Sequence, residues 1–441
     1  MRSRTRVAVA AGTAGALAAG LLLIGAIAGS PQGTPRDAAA TTARDQGAPT
    51  DALSALITNA QATLSKNPSD YAAWGELGLL YVQQAKVTVD PSYYPKAEGA
   101  LNRSLALNTK DNYQAMAGEA ALQAGLHNFA AARSYALRGI AINGYDSTLY
   151  GALGDALTQL GRYSEAATAV QRMNDLKPGP PAFTRASYVF ELRGDIANAR
   201  GALKRAYDDA GDPSDKAFAA YYLGELDFNY GGHYADALSV LQPELAQDPT
   251  NSTLLQGQAR AEAAMGSTDQ AVRDYSAVVA AVPQPQYVLE LGELYQSLGR
   301  TKEAETQYSL FRTEEDLFRA NGVTLDVEPT LFEADHGSPS KALAYAVAGW
   351  KVRPFLEMAD AYGWALYRNH RYAEALGWAD RALASGWTNN ALFRYHRGMI
   401  EAALGQRIKA RRDLQSALST SPKFNLLQAP IARRTLASLS A

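Results

Sequence analysis

The sequence predicts an all-α protein built as a solenoid of about ten consecutive helical hairpins. Three observations predict it: an alanine-rich composition, an alanine that returns at intervals of 33 to 38 residues, and a turn signal midway through many of these intervals. Alanine loses the least conformational freedom on entering a helix. A single hairpin cannot bury its own apolar face, so consecutive hairpins are expected to stack on one another.

The N-terminal segment has the composition of an export signal. Residues 1–6 carry three arginines, and no charged residue follows until Arg36. Residues 7–28 form an apolar run long enough to cross a hydrocarbon core of about 30 Å as a helix. The small-x-small sequence Ala26-Ile27-Ala28 matches a cleavage signature. Residues 1–28 are therefore expected to be a signal peptide or a retained membrane anchor, and both place the rest of the chain outside the cytoplasmic membrane.

The rest of the chain divides into a linker, two caps and the repeat region. Residues 29–50 are rich in Gly, Pro, Ala and Thr, which predicts a flexible linker. The ends of a solenoid need caps with a polar outer face. We expect an N-terminal capping helix over residues 51–69, the solenoid over residues 70–425, and a C-terminal capping helix over residues 426–441.

Charge and composition exclude several kinds of function. The formal net charge is −2, from 42 basic and 44 acidic residues, which leaves no excess positive charge to neutralise a nucleic acid. The chain contains no cysteine, which excludes disulfides, thiolate metal sites and cysteine catalysis.

The repeat is marked most clearly by its alanines. Ten of them recur with an aromatic or aliphatic residue about four places further on: Ala97, Ala131, Ala166, Ala199, Ala237, Ala271, Ala304, Ala342, Ala375 and Ala410. Any one spacing could be accidental in an alanine-rich chain, but nine in succession indicate a structural period.

Other residue types hold fixed positions around these alanines. A small residue stands twelve places before the alanine in six units: Gly154, Ser187, Ala259, Gly292, Gly363 and Gly398. In two further units, a glycine (Gly118, Gly224) falls one place earlier. A proline stands twelve places after the alanine in half of the units: Pro178, Pro249, Pro283, Pro354 and Pro422. This order predicts a helix, a turn and a second helix in each unit, because two helices approach closely at small residues and proline ends the second helix.

With these positions in place, the sequence resembles the tetratricopeptide-repeat family. The third unit carries the resemblance best, with Tyr150, Leu153, Gly154, Leu157, Gly161, Tyr163, Ala166, Val170 and Pro178 at the positions of that motif. The resemblance covers residues 70–422 and implies a right-handed superhelix whose first helices line a concave surface. The eighth unit departs from the motif, with Thr330 in place of the small glycine, and a helix is expected to extend to Asn321 before a loop.

The concave surface is the predicted place for a partner. The position after each small residue, and the position three residues further on, give a candidate row of acidic and aromatic side chains: Glu119, Asp155, Tyr188, Glu191, Glu225, Phe228, Arg260, Glu293, Trp364 and Tyr367. The carboxylate-clamp version of this family needs Lys, Arg and Asn in the groove, and acidic residues stand here instead. A cationic or donor-rich partner, such as a basic peptide segment, is expected.

We found no sequence motif of a known catalytic site, so no catalytic residue, metal or cofactor is predicted. The sequence predicts a non-enzymatic, extracytoplasmic scaffold that binds a protein or peptide. Two alternatives remain open. An envelope enzyme could use the irregular region 315–365 around Asp335 and His336, and a small-ligand-binding protein could use the aromatic residues near Trp364.

Overall fold

The computed structural model describes residues 49–324, 326–384 and 386–440. The predicted signal or anchor over residues 1–28 and the linker up to residue 48 lie outside these described residues. Every regular element within them is a helix, which confirms the predicted all-α solenoid. Among the described helices, none is both long and apolar enough to cross a membrane.

The helices form ten consecutive hairpins between two further helices. The two end helices are α1 Pro49–Lys66 and α22 Gln428–Ser440. The first helices of the repeats are α2 Tyr71–Thr88, α4 Tyr113–Gly125, α6 Ser147–Gln159, α8 Pro180–Leu192, α10 Pro213–Asn229, α12 Ser252–Met265, α14 Pro285–Ser297, α16 Val327–His336, α18 Leu356–Arg368 and α20 Ala391–Ala403. The second helices are α3 Tyr93–Leu107, α5 Phe129–Ile142, α7 Tyr163–Leu176, α9 Ile196–Asp208, α11 Tyr234–Gln247, α13 Thr268–Ala281, α15 Thr301–Ala320, α17 Pro339–Val352, α19 Tyr372–Ala382 and α21 Arg407–Thr420.

The recurring alanine lies where the two helices of a hairpin meet. Nine of the ten predicted alanines are at most 2% exposed, so the period read from the sequence is the packing period. The second repeat is the exception, because Ala132 is the buried residue there and Ala131 is half-buried. Gly118 and Glu119 therefore do not stand at the same distance from the buried alanine as their counterparts in the other repeats. Counted from Ala132, the position that Asp155 holds in the third repeat is held by Ala121 in the second.

The seventh repeat carries the helix extension that the sequence predicts. Helix α15 runs to Ala320 and ends with Asn321 as its C-cap, followed by Gly322 at φ 84°. A glycine adopts this left-handed conformation without the steric cost that a side chain brings. The loop that follows leads into the short helix α16 of the irregular eighth repeat.

The superhelix closes on itself, which the sequence does not predict. The turns between the two helices of repeats two to five contact the segments that precede repeats eight, nine and ten and follow repeat ten. We call this line of contact the seam. It joins residues 126–127, 159–163, 193–194 and 228–234 to residues 323, 324, 326, 353–357, 386–387 and 420–423. Each turn therefore meets the segment that lies about six repeats further along the chain.

Backbone hydrogen bonds hold the seam along its length. The amide of Thr324 donates to the carbonyl of Leu126 (3.2 Å), and the amide of Gly231 donates to the carbonyl of Thr420 (2.6 Å). Between these points, the amide of Leu356 donates to the hydroxyl of Tyr163 (2.9 Å). Buried backbone N–H and C=O groups need hydrogen-bond partners. The groups that the seam covers find these partners on its other side.

Two glycines allow the backbones to meet at the seam. A Cβ atom on Gly161 would lie 2.4 Å from the carbonyl oxygen of Pro354, and one on Gly194 would lie 2.5 Å from that of Gly386. Both glycines also have positive φ angles, 69° and 75°. They therefore serve the local turn and the long-range contact at once.

A buried ion pair lies within the seam. Arg353 is 1% exposed and donates from Nη1 to both carboxylate oxygens of Asp326 (2.9 Å each) and from Nε to Oε1 of Gln159 (2.6 Å). His127 approaches the same carboxylate at 3.3 Å. Repeats two and three are thereby tied to the region of repeats eight and nine through a charge that is removed from water.

The segment before α22 crosses the hollow of the superhelix. The side-chain amide of Asn425 donates to Glu293 Oε2 (2.8 Å), and that of Gln428 donates to Asp335 Oδ2 (2.9 Å). Phe424 packs on Tyr395 with ring centroids 5.4 Å apart. The C-terminal end of the chain therefore covers the concave faces of repeats seven and eight, besides covering the last repeat.

Candidate functional site

The inner faces of seven first helices meet around one cavity of about 370 Å³. Its wall comes from α8, α10, α12 and α14 on one side of the seam, and from α16, α18 and α20 on the other. Residues three, four or seven places apart share a helix face, which brings Thr184, Tyr188 and Glu191 to the same wall. The predicted concave groove is thus, in this region, a hollow with walls on both sides of the seam.

The cavity wall is acidic and aromatic. Its described residues include one guanidinium group, Arg260, against six carboxyl groups: Glu191, Glu225, Glu290, Glu328, Glu357 and Asp360. Aromatic rings fill much of the remaining wall, among them Tyr188, Tyr222, Tyr287, Trp387 and Phe393. Negative charge enclosed by apolar rings attracts cations and hydrogen-bond donors more strongly than the same charge in open water.

Arg260 shows how this wall holds a cation. Its Nη1 donates to Glu225 (2.6 Å), its Nη2 donates to Asn229 Oδ1 (3.2 Å), and its guanidinium carbon lies 3.8 Å from the centroid of the Phe228 ring. Arg260 and Glu225 are each 20% exposed. The protein itself thereby neutralises the carboxylate of Glu225. The cation that does so contacts a carboxylate and the face of an aromatic ring at the same time.

Tyrosine hydroxyls position two carboxyl groups of the cavity, one by a bond across the seam and one by a bond between neighbouring repeats. The hydroxyl of Tyr188 donates to Glu357 Oε1 (2.8 Å), and the hydroxyl of Tyr230 donates to Glu191 Oε1 (2.9 Å). The indole N–H of Trp387 donates in turn to the Tyr230 hydroxyl (2.6 Å). This corner of the cavity therefore exists only while the two turns of the superhelix are in contact.

Several of these carboxyl groups titrate near neutral pH. Burial raises the pKa of Glu191 to about 7, and the negative charges of Glu225 and Glu357 add to the rise. Burial also raises the pKa of Glu357 to about 7. Burial and the neighbouring Asp326 raise the pKa of Glu328 to about 8. These carboxyl groups thus hold protons at a pH where ordinary glutamates have lost them.

This titration predicts that stability falls as the pH rises from 5 to 8. The folded chain keeps protons on these groups that the unfolded chain releases near pH 4 to 5, so raising the pH through the folded pKa removes stability. Each such carboxyl contributes a slope of up to about 1 kcal/mol per pH unit. Denaturation of Glu357→Gln at several pH values should show a smaller slope than the parent protein. The exposed Glu165→Gln is the control, and an equal slope in both variants contradicts the assignment.

Four residues of the predicted row line the cavity. Tyr188, Glu191, Glu225 and Arg260 stand in its wall, and Phe228 lies directly beneath the Arg260 guanidinium. The structure therefore brings together the part of the row that comes from repeats four to six.

The other acidic members of the row lie elsewhere, with partners of their own. Asp155 pairs with Arg185 (2.9 Å), and both side chains are buried. Glu119 is 3% exposed, and burial raises its pKa. Glu293 lies 3.1 Å from His336 and also accepts the bond from Asn425. The concave row is therefore not one continuous acidic surface.

The residues of the two alternative functions pack together in the C-terminal half. Trp364 is 2% exposed, stacks between Tyr367 and His396 at centroid distances of 4.6 and 4.2 Å, and donates its N–H to Asp335 (2.9 Å). His336 stacks on Tyr308 at 4.4 Å. Neither Trp364 nor Tyr367 lines the cavity. In the described part of the chain, no three His, Asp or Glu side chains are grouped so that they could hold a metal ion.

Sequence reasoning missed four carboxyl groups of the cavity: Glu290, Glu328, Glu357 and Asp360. Three of them lie one or two helical turns before a residue of the predicted row, on the same face of the same helix, and could have been predicted from that spacing. Glu290 stands three residues before Glu293, and Asp360 and Glu357 stand four and seven residues before Trp364. Glu328 had no such signal, because the eighth repeat lacks the small residue that sets the register.

Comparison with known proteins agrees with the repeat pattern. The sequence profile of the family described as tetratricopeptide repeat matches residues 257–312, which span α12 to α15. This part of the chain, which lies in repeats six and seven, is similar to the tetratricopeptide-repeat family. Tetratricopeptide-repeat proteins typically mediate protein–protein interactions and are generally non-enzymatic scaffolds. No curated protein matches the sequence.

Several solved structures are similar to this chain at low sequence identity. A tetratricopeptide repeat protein from Parabacteroides merdae is 18% identical, with 59% of this chain and 99% of that chain covered and a TM-score of 0.35. The APC/C hetero-tetramer Cut9–Hcn1 gives 13% identity, coverage of 89% and 94%, and a TM-score of 0.41. The human IFIT1 dimer with PPP-AAAA gives 13% identity, coverage of 83% and 87%, and a TM-score of 0.44.

Proposed function

We propose that this tetratricopeptide-repeat protein is a non-enzymatic scaffold outside the cytoplasmic membrane, and that it binds a protein or peptide partner through a basic segment. The observation that carries the proposal is the cavity, where six carboxyl groups face a single guanidinium group. A positively charged segment gains from this field, whereas an acidic peptide terminus is repelled. The export signature in residues 1–28 supports the location.

Capture from an envelope extract by the full chain tests the partner, with Glu225→Lys as the variant. This change places a second cation beside Arg260 and should remove most of the captured partner, at least tenfold by quantitative mass spectrometry. Glu165→Lys, on an exposed outer position, is the matched control. Equal capture by both variants contradicts the proposed site. Asp155 is unsuitable for charge reversal, because its buried pair with Arg185 makes folding the quantity tested.

The location has its own test. Mass spectrometry of the native N-terminus, together with cell fractionation, distinguishes a chain cleaved after Ala28 from one anchored through residues 7–28. Recovery of the uncleaved chain in the cytoplasm contradicts an extracytoplasmic role.

A further inference from the structure

The corner of the cavity at the seam has more carboxyl groups than the protein pairs with cations. Arg260 is engaged by Glu225 and Asn229. Among the described residues, the side chains that donate to Glu191 and Glu357 are both tyrosine hydroxyls, those of Tyr230 and Tyr188. The rise in the pKa of Glu191 includes the charge of Glu357, so the two carboxyl groups are close enough to repel each other.

Buried oxygen atoms without partners mark the same wall. Glu357 Oε2, Glu328 Oε1 and Asp360 Oδ1 have no hydrogen-bond partner among the described residues. Their side chains are 9%, 7% and 2% exposed, and all three residues line the cavity. An unsatisfied buried acceptor is costly, so a hydrogen-bond donor that reaches these oxygen atoms gains more than it would at the surface.

We propose that this corner binds one small organic cation, an alkylammonium or guanidinium group on an aliphatic stem, between Glu191, Glu357 and the ring of Trp387. The inference rests on the cavity of the proposed function as the binding site, and it names the chemical group that enters. The group can come from a lysine or arginine side chain of a partner or from a free amine in solution.

Size and shape support a cation of this kind. A volume of about 370 Å³ lies near the lower end of the range of about 300–1,000 Å³ for small-molecule pockets, which is enough for one long side chain or one short diamine. Aromatic faces beside carboxylates favour organic cations, and the protein's own Arg260 on Phe228 shows this arrangement in the same wall. A metal ion is not favoured, since the described carboxylates are not grouped as ligands.

Binding of the cation should release protons. A positive charge beside Glu191 and Glu357 favours their ionised forms, so affinity should rise at least fivefold from pH 6 to pH 8. The other charged groups that act on this corner are Glu225, Arg260, Glu290, Glu328, Asp360 and Arg353. Arg353 is already bound to Asp326, and it lies in the seam rather than in the cavity wall.

Calorimetric titration of the full chain with 1,5-diaminopentane and with agmatine tests the site, and 1,5-pentanediol serves as the uncharged control. Both amines should bind with a stoichiometry of one and quench tryptophan fluorescence, and the diol should not bind. Glu357→Gln should weaken amine binding at least tenfold and reduce the protons released, as counted in two buffers of different ionisation enthalpy. Glu165→Gln should bind as the parent does. Trp387→Phe should abolish the fluorescence change.

The outcomes separate this inference from the proposed function. Amine binding without any protein partner supports the site and overturns the scaffold proposal, with a free amine as the ligand. A partner that the amines displace supports both, with a side chain as the source of the cation. Binding of the diol as tightly as the amines, or unchanged amine affinity in Glu357→Gln with its fold intact, overturns the inference.

Discussion

Replacing Gly161 by alanine should destabilise the protein by about 2–4 kcal/mol, although the new methyl group is small. Part of the loss is local, because alanine at φ 69° costs about 1 kcal/mol. The rest arises at the seam, where the methyl carbon would lie 2.4 Å from the Pro354 carbonyl oxygen and force the two turns apart. Denaturant unfolding measures the total. Faster hydrogen exchange of the Leu356 amide, which donates to Tyr163, locates the change.

The chain contains a matched control for this prediction. Gly299 occupies the same position of the seventh repeat, in LGRTKEA against LGRYSEA, and has a φ of 73°. A Cβ atom there would meet nothing within 4 Å. Gly299→Ala should therefore cost only about 1 kcal/mol and leave exchange at Leu356 unchanged. Equal losses in the two variants would show that the seam contributes nothing to stability.

Arg353→Met should destabilise the protein by about 3–5 kcal/mol. It leaves the Asp326 carboxylate buried without its main partner. Burial favours a raised pKa for Asp326, but Arg353 and His127 outweigh this and hold it below the ordinary value. Removing the guanidinium should therefore raise the pKa of Asp326, so the destabilisation should shrink as the pH falls and the carboxyl takes up a proton. Urea unfolding between pH 4 and pH 8 measures both.

A second substitution separates the charge from the packing. Asp326→Asn in the Arg353→Met background removes the unpaired charge, so the double variant should be more stable than Arg353→Met alone. Arg300→Met, which breaks an exposed pair with Glu303, should have a much smaller effect on stability, because water screens that pair. A loss at Arg353 no larger than at Arg300 would refute the importance of the buried pair.

The hairpins could be predicted because their determinants are local. The alanine at the helix crossing and the turn between the helices lie within one period. The sequence of one unit is therefore enough to predict the hairpin of that unit. The same holds for the four cavity residues found from their positions one or four places after the small residue, such as Glu225 and Glu191. In the second repeat the buried alanine is Ala132 and not the predicted Ala131, so the inner-face positions counted from Ala131 are wrong there.

The seam could not be predicted, because it depends on a rotation that accumulates over six repeats. Gly161 and Gly299 stand in nearly identical sequences, yet the first lies against another turn and the second faces open space. Small changes in the angle between neighbouring hairpins decide which turns meet. For the same reason, the sequence could not predict the carboxyl groups that are positioned by contacts across the seam, above all Glu357, which accepts a hydrogen bond from Tyr188.

The closed seam also changes how such a chain acquires its structure. An open array can grow one unit at a time, since each unit depends only on its neighbours. Here residues near 127 and 161 find their counterparts near 326 and 354, about 200 positions later, so the early units leave the ribosome well before those counterparts exist. Long-range closure slows folding, and the incomplete cylinder exposes surface that the finished one hides. Completion depends on the last hairpins arriving, which makes a linear array behave as a single cooperative unit.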